Sequence, residues 1–100
     1  VDAMKDVFRP SPNFPSPNFD ARPQGQAIDL VILHYTGMAD RDAALTRLCD
    51  PEARVSAHYL IDEAGEIFRM VDETARAWHA GVACWQDASD INARSIGIEL

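Results

Sequence analysis

The apolar run Ile28-Asp29-Leu30-Val31-Ile32-Leu33 ends on His34 and is followed by Tyr35-Thr36-Gly37. A short apolar run closed by a glycine reads as a buried strand over residues 28–34. Val31, Ile32 and Leu33 show no polar alternation, which predicts a central strand covered on both faces. Such a strand needs a sheet around it and helices over the sheet, so the chain is constrained toward an α/β layer architecture. His34 then stands at the mouth of the strand, where a rigid scaffold can present an imidazole as a metal ligand or a base. Position alone also fits a histidine with purely structural hydrogen bonds.

The remaining pattern supplies partners for that strand. Residues 40–49 read as a helix, with Asp40 as its cap, Ala43, Ala44, Leu45 and Leu48 as its apolar face, and Asp50-Pro51 as its stop. Residues 57–62 and 66–71 read as a hairpin turning at Glu63-Ala64-Gly65. Residues 72–77 read as a polar link, 78–94 as a loop, and 95–100 as a further strand. Residues 1–26 differ in character. Five of the six prolines fall here, at 10, 12, 15, 17 and 23, and Ser-Pro-Asn-Phe occurs twice. Prolines at this spacing disfavour helix and sheet ladders, so the segment is expected to be an extended arm, pinned by Phe14 and Phe19.

Bulk properties exclude some functions. A net charge of −7 supplies no cationic stripe for nucleic acid. No segment has the apolar length of a membrane span, and the first residues carry no apolar signal core. Cys49 and Cys84 form neither a CxxC pair nor a disulfide framework, and are expected as free thiols.

Chemistry-bearing residues cluster after residue 33. His58 lies on the first hairpin strand beside Tyr59, a position that also suits a histidine satisfied inside a sheet. His79 follows Trp78 in a loop, where a substrate contact and a structural role are both open. Glu99 lies between Ile98 and Leu100. A carboxylate inside an apolar strand is rarely tolerated unless it is paired, metal-facing or catalytic. Arg94 and Asp90 read as solvated loop charges. Catalytic zinc commonly takes three protein ligands and leaves one position for water. His34 is the convincing ligand from the pattern. A site built from His34, His58 and His79 is the lesser alternative.

Four motifs in order carry a family resemblance: Val31-Ile32-Leu33-His34-Tyr35-Thr36, Val55-Ser56-Ala57-His58-Tyr59-Leu60-Ile61-Asp62, Ala77-Trp78-His79-Ala80-Gly81 and Asn92-Ala93-Arg94-Ser95-Ile96-Gly97-Ile98-Glu99-Leu100. Over residues 28–100 the chain resembles the zinc-dependent N-acetylmuramoyl-L-alanine amidases related to peptidoglycan-recognition proteins. The resemblance implies an α/β fold, a mixed sheet flanked by helices. It implies hydrolysis of the amide between N-acetylmuramic acid and L-alanine in peptidoglycan or muropeptides. It implies Zn2+, with His34 as first ligand and Glu99 as the base that activates water. It places Trp78, His79 and His58 in the substrate cleft. Ala57 stands where other branches of the family carry a catalytic tyrosine, which leaves Glu99 as the base. The remaining ligands are expected beyond Leu100, so 27–100 reads as the N-terminal part of an amidase domain. The expected partner is peptidoglycan or a muropeptide, in cytoplasm or periplasm. The alternative is a muropeptide-binding module of the same fold that does not cleave, or an inactive fragment.

Overall fold

The computed structural model describes residues 13–35, 37–80 and 90–100. Six strands and one α-helix are formed by the described residues: β1 (Phe19–Ala21), β2 (Leu30–His34), α1 (Arg41–Leu48), β3 (Tyr59–Ile61), β4 (Ile67–Arg69), β5 (Ala75–Ala77) and β6 (Ser95–Glu99). The main sheet has the order β2-β6-β3-β4. β2, β6 and β3 run parallel, and β4 returns antiparallel to β3. The predicted mixed sheet is therefore present.

Local chemistry explains the elements. Asp40 caps α1 by accepting the Ala43 amide at 2.8 Å. Ala44, Leu45 and Leu48 are buried on Leu60, Phe68 and Met70, with Cys49 and Val55 at the margin. Ala43, expected on this face, is exposed. The hairpin turns where Gly65 adopts φ +85°, and Asp62 accepts the Glu66 amide through its carboxylate at 2.8 Å.

Three expectations change. Among the described residues β2 lies at the end of the strand order rather than centrally, and it alternates: Leu30, Ile32 and His34 are half-buried, while Val31 and Leu33 are 64% and 62% exposed. An unbroken apolar run is compatible with either placement. Residues 75–77, inside the expected polar link, form a strand with the arm, Phe19 opposite Ala77 and Ala21 opposite Ala75. Asp20 and Arg76 face each other there, with Arg76 Nη1 3.3 Å from the carboxylate. Within the expected loop 78–94, Ile91–Arg94 form a 3₁₀ turn capped by Asp90, and residues 81–89 lie outside the described residues.

The arm is held by its polar residues, not its aromatics. Phe14 and Phe19 are 39% and 50% exposed, whereas Ser16 and Asn18 are buried. The last carbonyls of a helix lack intrahelical donors. Ser16 Oγ donates to the Leu48 carbonyl at the end of α1, and Asn18 Nδ2 donates to the Asp50 and Val55 carbonyls at 2.9 and 2.8 Å. The serine and asparagine of the repeated tetrapeptide thus close the helix end. The Cys49 thiol lies beside this seam, 3.5 Å from the Pro15 carbonyl, and burial pushes its pKa up. Cys84 lies outside the described residues.

Candidate active site

Residues paired across parallel strands project to the same face of a sheet. Leu30 pairs with Ser95, Ile32 with Gly97, and His34 with Glu99. Leu60 pairs with Glu99 and with Phe68. One face therefore carries His34, Ser95, Gly97, Glu99, Leu60 and Phe68, the last two packed under α1. The shared placement of His34 and Glu99 is as the strand pattern requires for a common site.

His58 is fully buried at the base of this face. Its Nδ1 accepts the Gly97 amide at 3.0 Å, and its Nε2 lies 2.9 Å from the Ala75 carbonyl. An amide only donates and a carbonyl only accepts, so His58 is neutral with its proton on Nε2. Arg22 Nη2 is 3.1 Å from that nitrogen, but both are donors, and the guanidinium is held instead by the Glu73, Asn92, Ala93 and Ser95 carbonyls at 2.9–3.1 Å. Burial, with a lesser contribution from Arg22, lowers the His58 pKa. His58 thus braces β6 from within and has no nitrogen left for a metal or a substrate, which corrects its expected place in the cleft. Arg22 escaped the sequence reading, because one arginine in a proline-rich arm carries no pattern.

His79 lies across β6. A Cβ on Gly97 would meet its ring atoms at 2.4 Å, so the ring rests on bare glycine backbone. Its Nδ1 is 2.9 Å from His34 Nε2, and its Nε2 is 2.9 Å from Ser95 Oγ. The Asn92 side chain accepts the His79 and Ala80 amides at 3.1 and 2.8 Å. Burial first, then neighbouring His34, His58 and Arg22, pushes the His79 pKa down to about 3. Trp78 is half-buried beside it, its amide donating to Ser56 Oγ at 2.9 Å. Ring centroids are 5.1 Å apart for His34 and His79, and 6.1 Å for His58 and His79. The three imidazoles form a row, yet among the described residues no three His, Cys, Asp or Glu groups converge as metal ligands. Both His58 nitrogens are taken by the Gly97 amide and the Ala75 carbonyl, so this arrangement does not offer the three imidazoles as a common ligand set. Sequence spacing did not single out Ser95, Gly97 or Asn92 for this role, although all three lie in the last quoted motif.

Glu99 is half-buried, and burial raises its carboxyl pKa against the opposing pull of His34. It opens onto a small cleft of about 100 Å³ shared with Met38, Ala44 and Leu48. A larger cleft of about 710 Å³ begins one residue further on. It is lined by Tyr35 and Leu100, which follow His34 and Glu99, and by Leu60–Ala64 at the end of β3. It thus sits at the carboxyl ends of the three parallel strands. Asp90 is exposed, as expected of a solvated charge, and also pairs with Arg76 at 2.8 Å; Arg94 is more covered than expected and pairs with Asp29.

Fold and site together define an α/β domain with a cleft at the carboxyl end of its parallel strands. The chain belongs to the Amidase_2 family, N-acetylmuramoyl-L-alanine amidase, whose family model matches residues 24–100. It is 39% identical over 103 aligned positions to the 1,6-anhydro-N-acetylmuramyl-L-alanine amidase AmpD of Escherichia coli, covering 86% of this chain and 56% of that one. It is also 39% identical over 92 positions to the N-acetylmuramoyl-L-alanine amidase AmiD of the same organism, 81% of this chain and 32% of AmiD. The crystal structure of a selenomethionine AmpD derivative superposes with a TM-score of 0.78 at 36% identity, over 88% of this chain and 59% of that one. AmiD in complex with anhydro-N-acetylmuramic acid-L-Ala-D-gamma-Glu-L-Lys superposes with a TM-score of 0.65 at 38% identity, over 78% and 33%. The chain spans little more than half the length of the AmpD relative it matches. The family is in general zinc-dependent. The described residues fit one corner of such a site, an imidazole with a carboxylate beside it, and not a complete donor set.

Proposed function

We propose that the protein hydrolyses the amide between N-acetylmuramic acid and L-alanine in muropeptides or peptidoglycan, with residues 1–26 as an arm and 27–100 as the N-terminal part of an amidase domain. The observation that carries this reading is the pairing of His34 with Glu99, side by side at strand ends whose next residues, Tyr35 and Leu100, line the larger cleft. His34 would hold the metal; zinc, when bound, supplies Lewis-acid polarisation of the scissile carbonyl. The rest is chemistry of the chain. Glu99 is the general base: burial raises its pKa, which makes it a better proton acceptor than an exposed carboxylate. The cleft, within the usual size range of ligand sites, takes the muropeptide at the strand ends. Trp78 borders the imidazole row as an apolar substrate contact.

The test is hydrolysis of an anhydromuropeptide by the full-length protein. Glu99→Gln keeps the shape of the side chain and removes proton acceptance, so turnover should fall about 10²–10⁴-fold with substrate still bound. Near-normal turnover would move the base elsewhere. Tight binding with no hydrolysis by the unaltered protein would make it a muropeptide-binding module.

A further inference from the structure

We propose that His79 and Ser95 are positioning residues that fix the tautomer of His34, placing its proton on Nε2 and leaving Nδ1 as its lone pair, and that Gly97 is the seat that permits this. The use of that lone pair rests on the function proposed above; the tautomer itself rests on hydrogen-bond directions.

The directions follow from one carbonyl. Ser95 Oγ is 2.7 Å from the Ile91 carbonyl and 2.9 Å from His79 Nε2. A hydroxyl has one proton, and a carbonyl can only accept. If that proton turned to His79, two acceptor oxygens would face each other at 2.7 Å with nothing between them. The hydroxyl therefore donates to Ile91, and Ser95 Oγ accepts from His79. His79 carries its proton on Nε2, which leaves its Nδ1 an acceptor. The partner of that Nδ1 is His34 Nε2 at 2.9 Å, which must then be the donor. Every contact in the chain holds one proton, and the reverse direction fails at its first link. Ser95 is fully buried at the start of β6, on a strand also held through the Gly97 amide by His58, so the anchor is rigid. The relay needs the His79 ring close against β6 at Gly97, and a Cβ on Gly97 would occupy that place. Outer partners that hold a ligating histidine in one tautomer raise its basicity and orient it, and their loss ordinarily costs about 10–100-fold in metal affinity.

The test is imidazole long-range ¹H–¹⁵N correlation on the histidine-labelled full chain at neutral pH, without added metal. His34 should show a protonated Nε2 and a bare Nδ1, and His79 the same. In Ser95→Ala the His34 signals should move toward a mixture of tautomers, and Ser95→Thr, which restores the hydroxyl, should return them. Zinc affinity should fall about 10-fold or more in Ser95→Ala and recover in Ser95→Thr. A proton on His34 Nδ1 in the unaltered chain overturns the proposal even if the variants do not fold, and so do His34 signals unchanged in Ser95→Ala. Correct tautomers in a protein without amidase activity would instead remove the proposed function and leave this assignment standing.

Discussion

The two faces of the four-stranded sheet come from the same strands and behave as different materials. On one, Leu60 and Phe68 lie under α1, and the row of His58, His79 and His34 lies over β6 and β2. On the other, Val31 and Leu33 are more than half exposed. Adjacent residues of β2 thus divide between a tightly packed polar site and open surface, which is the two-residue period of a strand. The comparison teaches that the apolar run does not by itself say where the core is. Among the described residues the histidines and Glu99 collect on the face where the chain places buried polar partners.

The largest contrast should come from equal truncations on the two faces. Leu60→Ala empties part of the packed face and should cost about 2–5 kcal/mol in chemical denaturation. Leu33→Ala, on exposed surface, should cost within about 0.5 kcal/mol. Comparable losses at both positions would end the two-face description. Next comes Gly97→Ala, a single added methyl group. It meets the His79 ring and should cost about 1–3 kcal/mol by overpacking, with His79 displaced from His34 in the spectra. A silent Gly97→Ala would mean that the ring does not rest there.

A smaller effect is expected from pH. His58 and His79 are held below their ordinary value of 6.5 in the folded protein, His79 to about 3. Between those values the unfolded chain binds protons that the native state does not, so their contribution is complete above 6.5 and declines as pH falls toward 3. Glu99 has the opposite sign: its raised pKa favours the folded state most below its ordinary 4.5 and gives up that stabilisation as pH rises. The melting temperature of metal-free protein should therefore fall between pH 6.5 and 5, and fall more steeply in Glu99→Gln. A melting temperature that rises on acidification would contradict the neutral, buried imidazoles.

Much of this was legible from residue patterns. The helix with its Asp40 cap, the hairpin at Gly65 and the strand carrying Glu99 follow from periodicity and turn chemistry. The pairing of His34 with Glu99 was expected from their strand positions and the family resemblance. What was hidden depended on residues far apart in sequence. Arg22 reaches carbonyls 70 or more residues away, and Asn18 closes a helix end beyond 30 residues of separation. β5 could not be seen because its partner strand lay in an arm whose prolines argued against pairing. For His58 and His79 the sequence leaves a structural role and a place in the cleft both open. Their nitrogens are filled by backbone and side-chain partners that no local spacing reveals.

The most direct test of the account is zinc content. Full-length protein, purified and exchanged into defined zinc, should bind the metal one to one, and Leu33→Ala on the exposed face should match it. His34→Ala should fold with a similar far-ultraviolet spectrum and lose the zinc. Stoichiometric zinc retained by folded His34→Ala would contradict the placing of the metal on the histidine face and, with it, the site described here.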